Sequence, residues 1–294
     1  MFNRQQKHIL LKLIALLGIV RWYNILFITI GLYLTSFTLL GNYVSIKAFL
    51  LDFNLHFLVI SIACVSMGGY IINAYYDYEK DLINKPTETI VHRVISKEFR
   101  LRTALFLTLI GMLIALLCGF IIFGFTATLA FMLWFYSHKL RKKKYLSEIS
   151  AAFLTVSPFF GLVLYFQHIT IISILYMGYL FALSFTREIT KKLTTIKGDA
   201  VYGDQSLPIV IGVRYTRAII FSMIVFTILP IVFLFPLYRT DSIAVYYFAS
   251  VCALLGINLL GVVFSKKEST YVLINNIFKL LIASAVLAIL LMKY

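Results

Sequence analysis

The stretch Asn73-Ala-Tyr-Tyr-Asp77-Tyr-Glu-Lys-Asp81 directly follows a long apolar run in a chain that is otherwise poor in charge. Residues spaced by four lie on one face of a helix, so Asn73, Asp77 and Asp81 are predicted to form a polar ladder. Carboxylates at the edge of a membrane are costly, and where they occur they usually have a function. The stretch therefore predicts a helical membrane protein with a site at the end of one helix.

The composition agrees with a membrane protein. Hydrophobic residues make up 61% of the chain, charged residues make up 13%, and the mean hydropathy is +0.93. These values lie outside the range of ordinary soluble domains. Apolar runs near or above the length needed to span a bilayer recur along the whole chain. We predict one all-α domain over residues 1–294, a polytopic bundle of about nine transmembrane helices at 22–42, 56–76, 102–120, 121–137, 147–167, 169–186, 217–238, 243–264 and 270–292.

The boundary between the third and fourth predicted helices is the least distinct. Only the segment Gly119-Phe-Ile-Ile-Phe-Gly124 separates these two apolar runs. A bundle of eight spans with one re-entrant piece is therefore an alternative to nine spans.

The positive charge of the chain lies in alternate loops. The formal net charge is +15, and 23 of the 27 Lys and Arg fall in the N-terminal segment and in loops around 78–102, 138–145, 187–217 and 265–268. This alternation is typical of cytoplasmic loops, so we expect a multi-pass protein of the cell's inner membrane with a cytoplasmic N-terminus. Contact with anionic lipid explains the basic cluster at 139–144, and we expect no nucleic-acid partner.

The polar ladder has the chemistry of a magnesium site. Its two carboxylates and one amide oxygen are hard ligands, and Mg²⁺ usually completes its shell with water and phosphate oxygens. The cysteines and histidines are dispersed, which excludes a thiolate or imidazole centre. A diphosphate is therefore the expected substrate group. The alternative is that these acids are simply solvated at a helix end, with Asp81 paired to Lys85. The repetition of acidic residues on one face of the helix, flanked by tyrosines, argues against it.

A second polar stretch follows the sixth predicted helix. Arg187, Lys191 and Lys192 are candidates to bind phosphate oxygens. Asp199 and Asp204 are candidates to bind metal or to hydrogen-bond its ligands. A positively charged cytoplasmic loop explains these charges equally well. The spacing of Gly198 and Gly203 resembles that of a Walker A loop. Such a loop is excluded, because no Lys-Ser/Thr follows Gly203 and no strand is predicted before Gly198.

Further residues extend the pattern along the chain. Asn84-Lys85-Pro86 follows the ladder, Tyr136-Ser137 precedes the basic loop, and Ser206-Leu207-Pro208-Ile-Val-Ile-Gly212 follows the second stretch. Over most of its length the chain thus resembles the UbiA-type intramembrane prenyltransferases, nearest their geranylgeranylglycerol-phosphate geranylgeranyltransferase branch. The resemblance implies nine helices around a central cavity that opens to lipid. It also implies two Asp-rich motifs that face each other across this cavity, with Mg²⁺ bridging them to a prenyl diphosphate.

The resemblance assigns roles to individual residues. Asn73, Asp77 and Asp81 match the first motif, Arg187 and Lys191 match its cationic partners, and Asp199 matches the final acid of the second motif. The expected catalytic residues are Asp77, Asp81 and Asp199. The expected Mg²⁺ ligands are Asn73, Asp77, Asp81 and Asp199. The residues expected to bind diphosphate are Asn73, Arg187, Lys191, Lys192 and Arg93.

The chain departs from the family pattern at two places. Similar proteins have Lys-Asp-x-x-Asp-x-x-x-Asp where this chain has Lys191-Lys192-x-x-Thr195-x-x-x-Asp199. A cation and a hydroxyl thus replace two carboxylates, so we expect weaker metal binding and a Lys192 that neutralises diphosphate directly. The first loop reads Pro-Thr-Glu at 86–88 where Pro-Glu-Arg is common, which leaves Arg93 as the nearest basic residue.

The expected function is Mg²⁺-dependent transfer of a prenyl group from a prenyl diphosphate to an acceptor, either a glycerol phosphate or an aromatic quinone precursor. A membrane site suits this substrate, because each buried methylene of the tail contributes about 0.8 kcal/mol. One alternative is a UbiA-like paralogue with altered or absent catalysis. The other is a transporter or lipid-binding protein, which is disfavoured because transporters usually place ionisable groups in the middle of their spans.

Overall fold

A computed structural model describes residues 3–41, 43–84, 86, 94–234 and 243–293. This part of the chain consists of helices and short connections, with no β-strand among the described residues. A π-helical turn, Ser36–Leu40, continues the second helix, and 3-10 turns occupy Leu140–Lys142 and Ile289–Lys293. The α-helices are α1 (Arg4–Val20), α2 (Trp22–Thr35), α3 (Ile46–Leu50), α4 (Phe53–Asn84), α5 (Lys97–Leu117), α6 (Phe120–His138), α7 (Leu146–Phe166), α8 (Ile171–Thr194), α9 (Ile196–Val201), α10 (Leu207–Val210), α11 (Gly212–Leu234), α12 (Ile243–Phe264) and α13 (Glu268–Ala288).

The predicted spans coincide with helices wherever the structure describes them. Eight helices of the described part are long and apolar enough to cross a membrane. The remaining predicted span lies on α8, which has 24 residues but carries Arg187, Glu188, Lys191 and Lys192 near its C-terminal end. The predicted all-α membrane bundle is therefore confirmed.

The third and fourth predicted spans are separate helices. Helix α5 has 21 residues and α6 has 19, and each is long enough to cross a bilayer. Between them Gly119 has a φ of +111°, a backbone conformation that favours glycine because a side chain would be strained there. The structure thus supports two spans here over a single span with a re-entrant piece.

The chain divides into two compact units. Unit 1 comprises Met1–Thr29 and Asp52–Leu140, and unit 2 comprises Ile30–Leu51 and Arg141–Tyr294. Within unit 1, α4 packs against α1, α5 and α6. Within unit 2, α8 packs against α7, α11 and α13. Each polar stretch identified in the sequence therefore begins on a helix that packs against three others of its own unit.

In unit 1, small residues bring the backbones of α4 and α5 close together. A Cβ atom added to Gly68 would collide with Thr108 Oγ1 and lie 2.9 Å from the carbonyl oxygen of Ala104. A Cβ on Gly111 of α5 would lie 2.8 Å from the carbonyl oxygen of Ser61. Glycines at such contacts are common where membrane helices meet.

We expect Gly68→Val to destabilise the protein by about 1–3 kcal/mol, because the backbone of α5 cannot move aside as a flexible side chain could. The measurement is the melting temperature of the detergent-solubilised chain. Gly124→Val is the matched control, since a Cβ on Gly124 meets nothing within 4 Å. Equal melting temperatures for the two variants would contradict the close packing of α4 on α5.

In unit 2, α8 is fixed at its start and along one face. Thr170 Oγ1 accepts a hydrogen bond from the backbone N–H of Ser173 at 3.1 Å, and Ser173 Oγ accepts one from that of Thr170 at 3.0 Å. This capping box satisfies two N–H groups that a helix start leaves without partners. Behind it Tyr176 and Tyr179 are buried, and the Tyr176 hydroxyl donates to the carbonyl oxygen of Ala285. These contacts fix where the charged end of α8 lies within unit 2.

Candidate active site

The first cluster of polar residues lies at the C-terminal end of α4. Asn73, Asp77 and Asp81 fall on one helical face, as predicted. The helix has 32 residues and is therefore about 48 Å long, which exceeds a hydrocarbon core of about 30 Å. It continues beyond the predicted end at residue 76, so a continuous helix carries both carboxylates.

Asp77 is the centre of the first cluster. Its side chain is buried, and its Oδ2 accepts a hydrogen bond from Asn73 Nδ2 at 2.9 Å. Lys80, which is also buried, places its Nζ 3.5 Å from Asp77 Oδ1. Asp81, one turn further on, is half-buried. The structure thus holds Asp77 between an amide and an ammonium group, with Asp81 beside it on the same face.

The first cluster fits a divalent cation. The Asn73 Oδ1 atom is buried and has no hydrogen-bond partner in the described part of the chain. Buried amide oxygens normally have such a partner, so this atom is available as a ligand. Together with the carboxylates of Asp77 and Asp81 it offers the oxygen ligands that Mg²⁺ prefers. Among the described residues named here, the two carboxylates outnumber the ammonium of Lys80.

Cation–π contacts hold the end of α4 against the start of α5. The Arg100 guanidinium carbon lies 4.8 Å from the centre of the Tyr78 ring, and its Nη2 donates to the carbonyl oxygen of Ile95 at 3.2 Å. Lys97 Nζ lies 5.5 Å from the same ring and 3.5 Å from Glu79 Oε1. Such contacts contribute most where the cation is desolvated, as buried Arg100 is. They fix the helical segment that carries Asp77 and Asp81.

The second cluster begins at the end of α8. Buried Glu188 places its Oε1 3.2 Å from Arg187 Nη1 and its Oε2 3.2 Å from Lys191 Nζ. One carboxylate therefore holds two of the cations that the sequence predicts to bind phosphate. Their side chains are partly exposed, 19% for Arg187 and 31% for Lys191. They can therefore bind an anion without leaving Glu188.

Asp199 is engaged within the protein. Lys192 Nζ lies 3.5 Å from Asp199 Oδ2, and Thr195 Oγ1 donates to the same oxygen at 3.3 Å. The Asp199 side chain is fully buried, and that of Lys192 is 7% exposed. The structure thus joins the remaining acid of the second motif to the two residues that replace the other acids. Asp199 thus has a lysine ammonium at 3.5 Å, as Asp77 has in the first cluster. Metal ligation by Asp199 and contact of Lys192 with diphosphate stay predictions.

Arg141 was expected to face lipid as part of the basic cluster at 139–144, and the structure corrects this expectation. Arg141 is buried, and its Nε lies 3.8 Å from Asp204 Oδ2. Burial lowers the pKa of the Arg141 guanidinium, and the carboxylates of Asp204 and Asp199 act in the opposite direction. The cation therefore belongs to the second cluster. The exposed members of the basic cluster are Lys139, Lys142, Lys143 and Lys144.

Three buried charged side chains were not recognised in the sequence, namely Lys80, Arg100 and Glu148. Glu148 Oε1 accepts a hydrogen bond from the backbone N–H of Leu207 at 3.1 Å, which ties α7 to the start of α10. Each of the three lies near the end of an apolar segment. That position is the signal that could have found them, because a charge buried there normally has a partner.

Some predicted features fall outside these clusters. Arg93, expected to bind diphosphate, lies outside the described residues, as does Lys85. Where the structure describes the chain, no group of three or more His, Cys, Asp or Glu side chains could hold a metal ion. A metal at the first cluster therefore depends on Asn73, water and substrate oxygens in addition to the two carboxylates. The central cavity shared by both motifs stays a prediction.

Comparison with curated proteins gives relatives that include several digeranylgeranylglyceryl phosphate synthases. The digeranylgeranylglyceryl phosphate synthase of Thermococcus sibiricus is 33% identical over 201 residues, which cover 65% of this chain and 68% of that protein. The protein of the same name from Thermococcus gammatolerans is 33% identical over 163 residues, 54% of this chain. The chain spans only 56% of that second relative's length.

Comparison with solved structures and with family models gives proteins of the same kind as these relatives. A structure of digeranylgeranylglyceryl phosphate synthase has a TM-score of 0.70 at 19% identity, covering 96% of this chain and 98% of that one. A UbiA homologue from Archaeoglobus fulgidus bound to GPP and Mg²⁺ has a TM-score of 0.64 at 15% identity, covering 94% and 99%. These likenesses show the fold. The UbiA prenyltransferase family model matches residues 34–282, and the chain therefore belongs to the UbiA prenyltransferase family.

Proposed function

We propose that the chain transfers a prenyl group from a prenyl diphosphate to a glycerol phosphate acceptor in a Mg²⁺-dependent reaction. The observation that carries the proposal is the first cluster, where Asn73 Oδ1, buried and without a partner among the described residues, lies on one helical face with Asp77 and Asp81. Two relatives named as digeranylgeranylglyceryl phosphate synthases favour a glycerol phosphate over an aromatic quinone precursor. The homologue bound to GPP and Mg²⁺ supports the metal dependence. We place the reaction at the cytoplasmic side of the inner membrane.

The first cluster positions the leaving group. Asn73, Asp77 and Asp81 would hold Mg²⁺, which when bound neutralises the negative charge that develops on the departing diphosphate. Asn73 Nδ2 and Lys80 Nζ hold the two oxygens of Asp77 at 2.9 and 3.5 Å. A carboxylate fixed in this way loses little rotamer freedom on binding, which preorganises the site.

The second cluster contributes cations. We assign diphosphate binding to Arg187 and Lys191, because both are partly exposed and Glu188 orients both. Cations stabilise diphosphate more strongly as the allylic C–O bond breaks and its electron pair moves to the leaving oxygen. The acceptor hydroxyl oxygen then forms a bond to the allylic carbon, and its proton passes to the released diphosphate or to water. This differential stabilisation lowers the barrier to ionisation of the substrate.

The proposal is tested with the full chain in liposomes. Labelled prenyl diphosphates of several lengths are supplied with either a glycerol phosphate or an aromatic acceptor, with Mg²⁺ or with a chelator. We expect a lipid product only with Mg²⁺ and the glycerol phosphate acceptor. Product formed only on the aromatic acceptor would overturn the acceptor assignment. Absence of product with every donor and acceptor would overturn the proposed function.

We expect Glu188→Gln to raise the KM for prenyl diphosphate about tenfold, because Arg187 and Lys191 lose the charged hydrogen-bond acceptor that orients them. The kcat should change less than the KM, since both cations remain in the chain. Steady-state kinetics with varied prenyl diphosphate measures this split. Glu268→Gln, at an exposed position of α13, is the matched control. A KM equal to that of the wild type would contradict a positioning role for Glu188.

A further inference from the structure

We propose that Arg21, which lies between α1 and α2, binds phosphate oxygens of a substrate at the first cluster. The inference rests on the proposed function and deepens it by adding a cation from unit 1. Two observations lead to it. Arg21 has a backbone conformation that is unusual for a residue with a side chain, and its guanidinium lies over the ring of Tyr70, on the helix that carries the first cluster.

The backbone turns sharply at Arg21. Its φ is +54°, in the left-handed region that side chains disfavour. Its N–H donates to the carbonyl oxygen of Gly18 at 3.1 Å, and its carbonyl oxygen accepts from the N–H of Asn24 at 2.8 Å. Other positive-φ positions of the chain are occupied by Gly119, Gly203 and Gly212. Arginine costs stability here that glycine would not, which indicates that its side chain has a use.

Buried residues on both sides of Arg21 hold this turn against α4. Ile19, Val20 and Ile25 belong to one hydrophobic cluster with Ile71 of α4. The partly buried residues of α4 that pack against this cluster include Tyr70, Ile72 and Ala74. The packing therefore fixes the backbone of Arg21 beside the part of α4 that surrounds Asn73.

Tyr70 lies on the same side of α4 as the first cluster. A helix turns about 100° per residue, so Asp77 lies within about 20° of Tyr70 around the axis, and Asn73 within about 60°. The rise per residue places Asn73 about 5 Å and Asp77 about 11 Å further along the helix. The guanidinium carbon of Arg21 lies 5.6 Å from the centre of the Tyr70 ring. The cation therefore lies next to the first cluster, on the side of the apolar part of α4.

The Arg21 guanidinium is suited to bind an anion. Its side chain is half-buried, and among the described residues the Tyr70 ring is its only ring, ion-pair or hydrogen-bond partner. A guanidinium over an aromatic face keeps the N–H groups at its edge, which match two phosphate oxygens at once. Arg100 differs, because it is buried over the Tyr78 ring and donates to the carbonyl oxygen of Ile95. Arg100 thus joins two helices, whereas Arg21 can bind a phosphate without breaking an ion pair of the described chain.

The phosphate belongs either to the prenyl diphosphate or to the acceptor, and the test distinguishes the two. Isothermal titration calorimetry on the purified full chain in detergent measures the binding of inorganic pyrophosphate with Mg²⁺ and of glycerol phosphate. The variant is Arg21→Gly, since glycine adopts a positive φ freely and keeps the turn. We expect its affinity for one of the two probes to fall about tenfold or more, as for a lost hydrogen bond to a charged group. The probe that is affected identifies the substrate.

The matched control is Arg102→Gln, at an arginine of α5 whose side chain is 82% exposed. It should leave both affinities unchanged. A folded Arg21→Gly chain with wild-type affinity for both probes would overturn the inference, as would a wild type that binds neither probe. Failure of the proposed function has a different signature, because the wild type would then form no prenylated product although its pyrophosphate binding depends on Arg21.

Arg21→Lys decides the question if the glycine variant does not fold. Lysine keeps the charge and the long side chain but lacks the planar fork that binds two oxygens. We expect a loss of about threefold or more for the same probe, with a melting temperature close to that of the wild type. Unchanged binding of both probes by this variant would show that the guanidinium does not bind phosphate.

Discussion

Replacing Asp77 by Asn is expected to reduce prenyl transfer roughly 10²- to 10³-fold, the loss typical of removing one electrostatic contact to a transition state. The carboxylate of Asp77 is buried between Asn73 and Lys80, so no neighbouring acid takes its place directly. Asparagine has nearly the same shape and keeps an oxygen that can accept from Lys80. The chain should therefore stay folded while its affinity for Mg²⁺ falls.

The matched control for this prediction lies on the same helix. Glu79 is two residues further on, its side chain is 59% exposed, and it pairs with Lys97 at 3.5 Å. Glu79→Gln removes an equal charge at nearly the same height along α4 and should leave the rate unchanged, since exposed pairs contribute little. The measurement is the rate of product formation as a function of Mg²⁺ concentration. Equal rates for the two variants would remove Asp77 from the reaction.

The first cluster could be predicted because it depends on local periodicity. Asn73, Asp77 and Asp81 are spaced by four, and the regular geometry of a helix alone places them on one face. The apolar span was predicted to end at residue 76, and the helix that carries the polar ladder continues to Asn84. Apolarity ends where the bilayer ends, whereas the backbone hydrogen bonds of a helix continue into water. Hydropathy therefore locates the membrane segment better than it locates the helix.

The second cluster could be predicted only in part. The family resemblance singles out Lys192 and Thr195, but their contact with Asp199 depends on how α8 breaks before α9. The pairing of Arg141 with Asp204 joins positions far apart along the chain. The sequence distinguishes Arg141 only as the one arginine among four lysines, and arginine is the cation favoured in buried ion pairs. Tertiary packing, and not composition, decides which cation of the cluster is buried.

The polar side chains of the two clusters suggest a division of labour. The oxygen ligands of the first cluster suit a divalent cation, while the partly exposed cations of the second suit phosphate oxygens. We expect the buried pair of Asp199 and Lys192 to stabilise the second cluster. Their contribution should be visible in stability before it is visible in catalysis.

Lys192→Met alone is expected to destabilise the protein by about 3–5 kcal/mol, because it leaves the carboxylate of Asp199 buried without its cation. Adding Asp199→Asn should recover most of that loss, since the double variant buries no uncompensated charge. Free energies of unfolding from denaturant titration in detergent micelles measure both steps. Lys142→Met, at an exposed position, should have little effect. If the single and the double variant were equally unstable, the prediction that the charges of the Lys192–Asp199 pair stabilise the fold would fail.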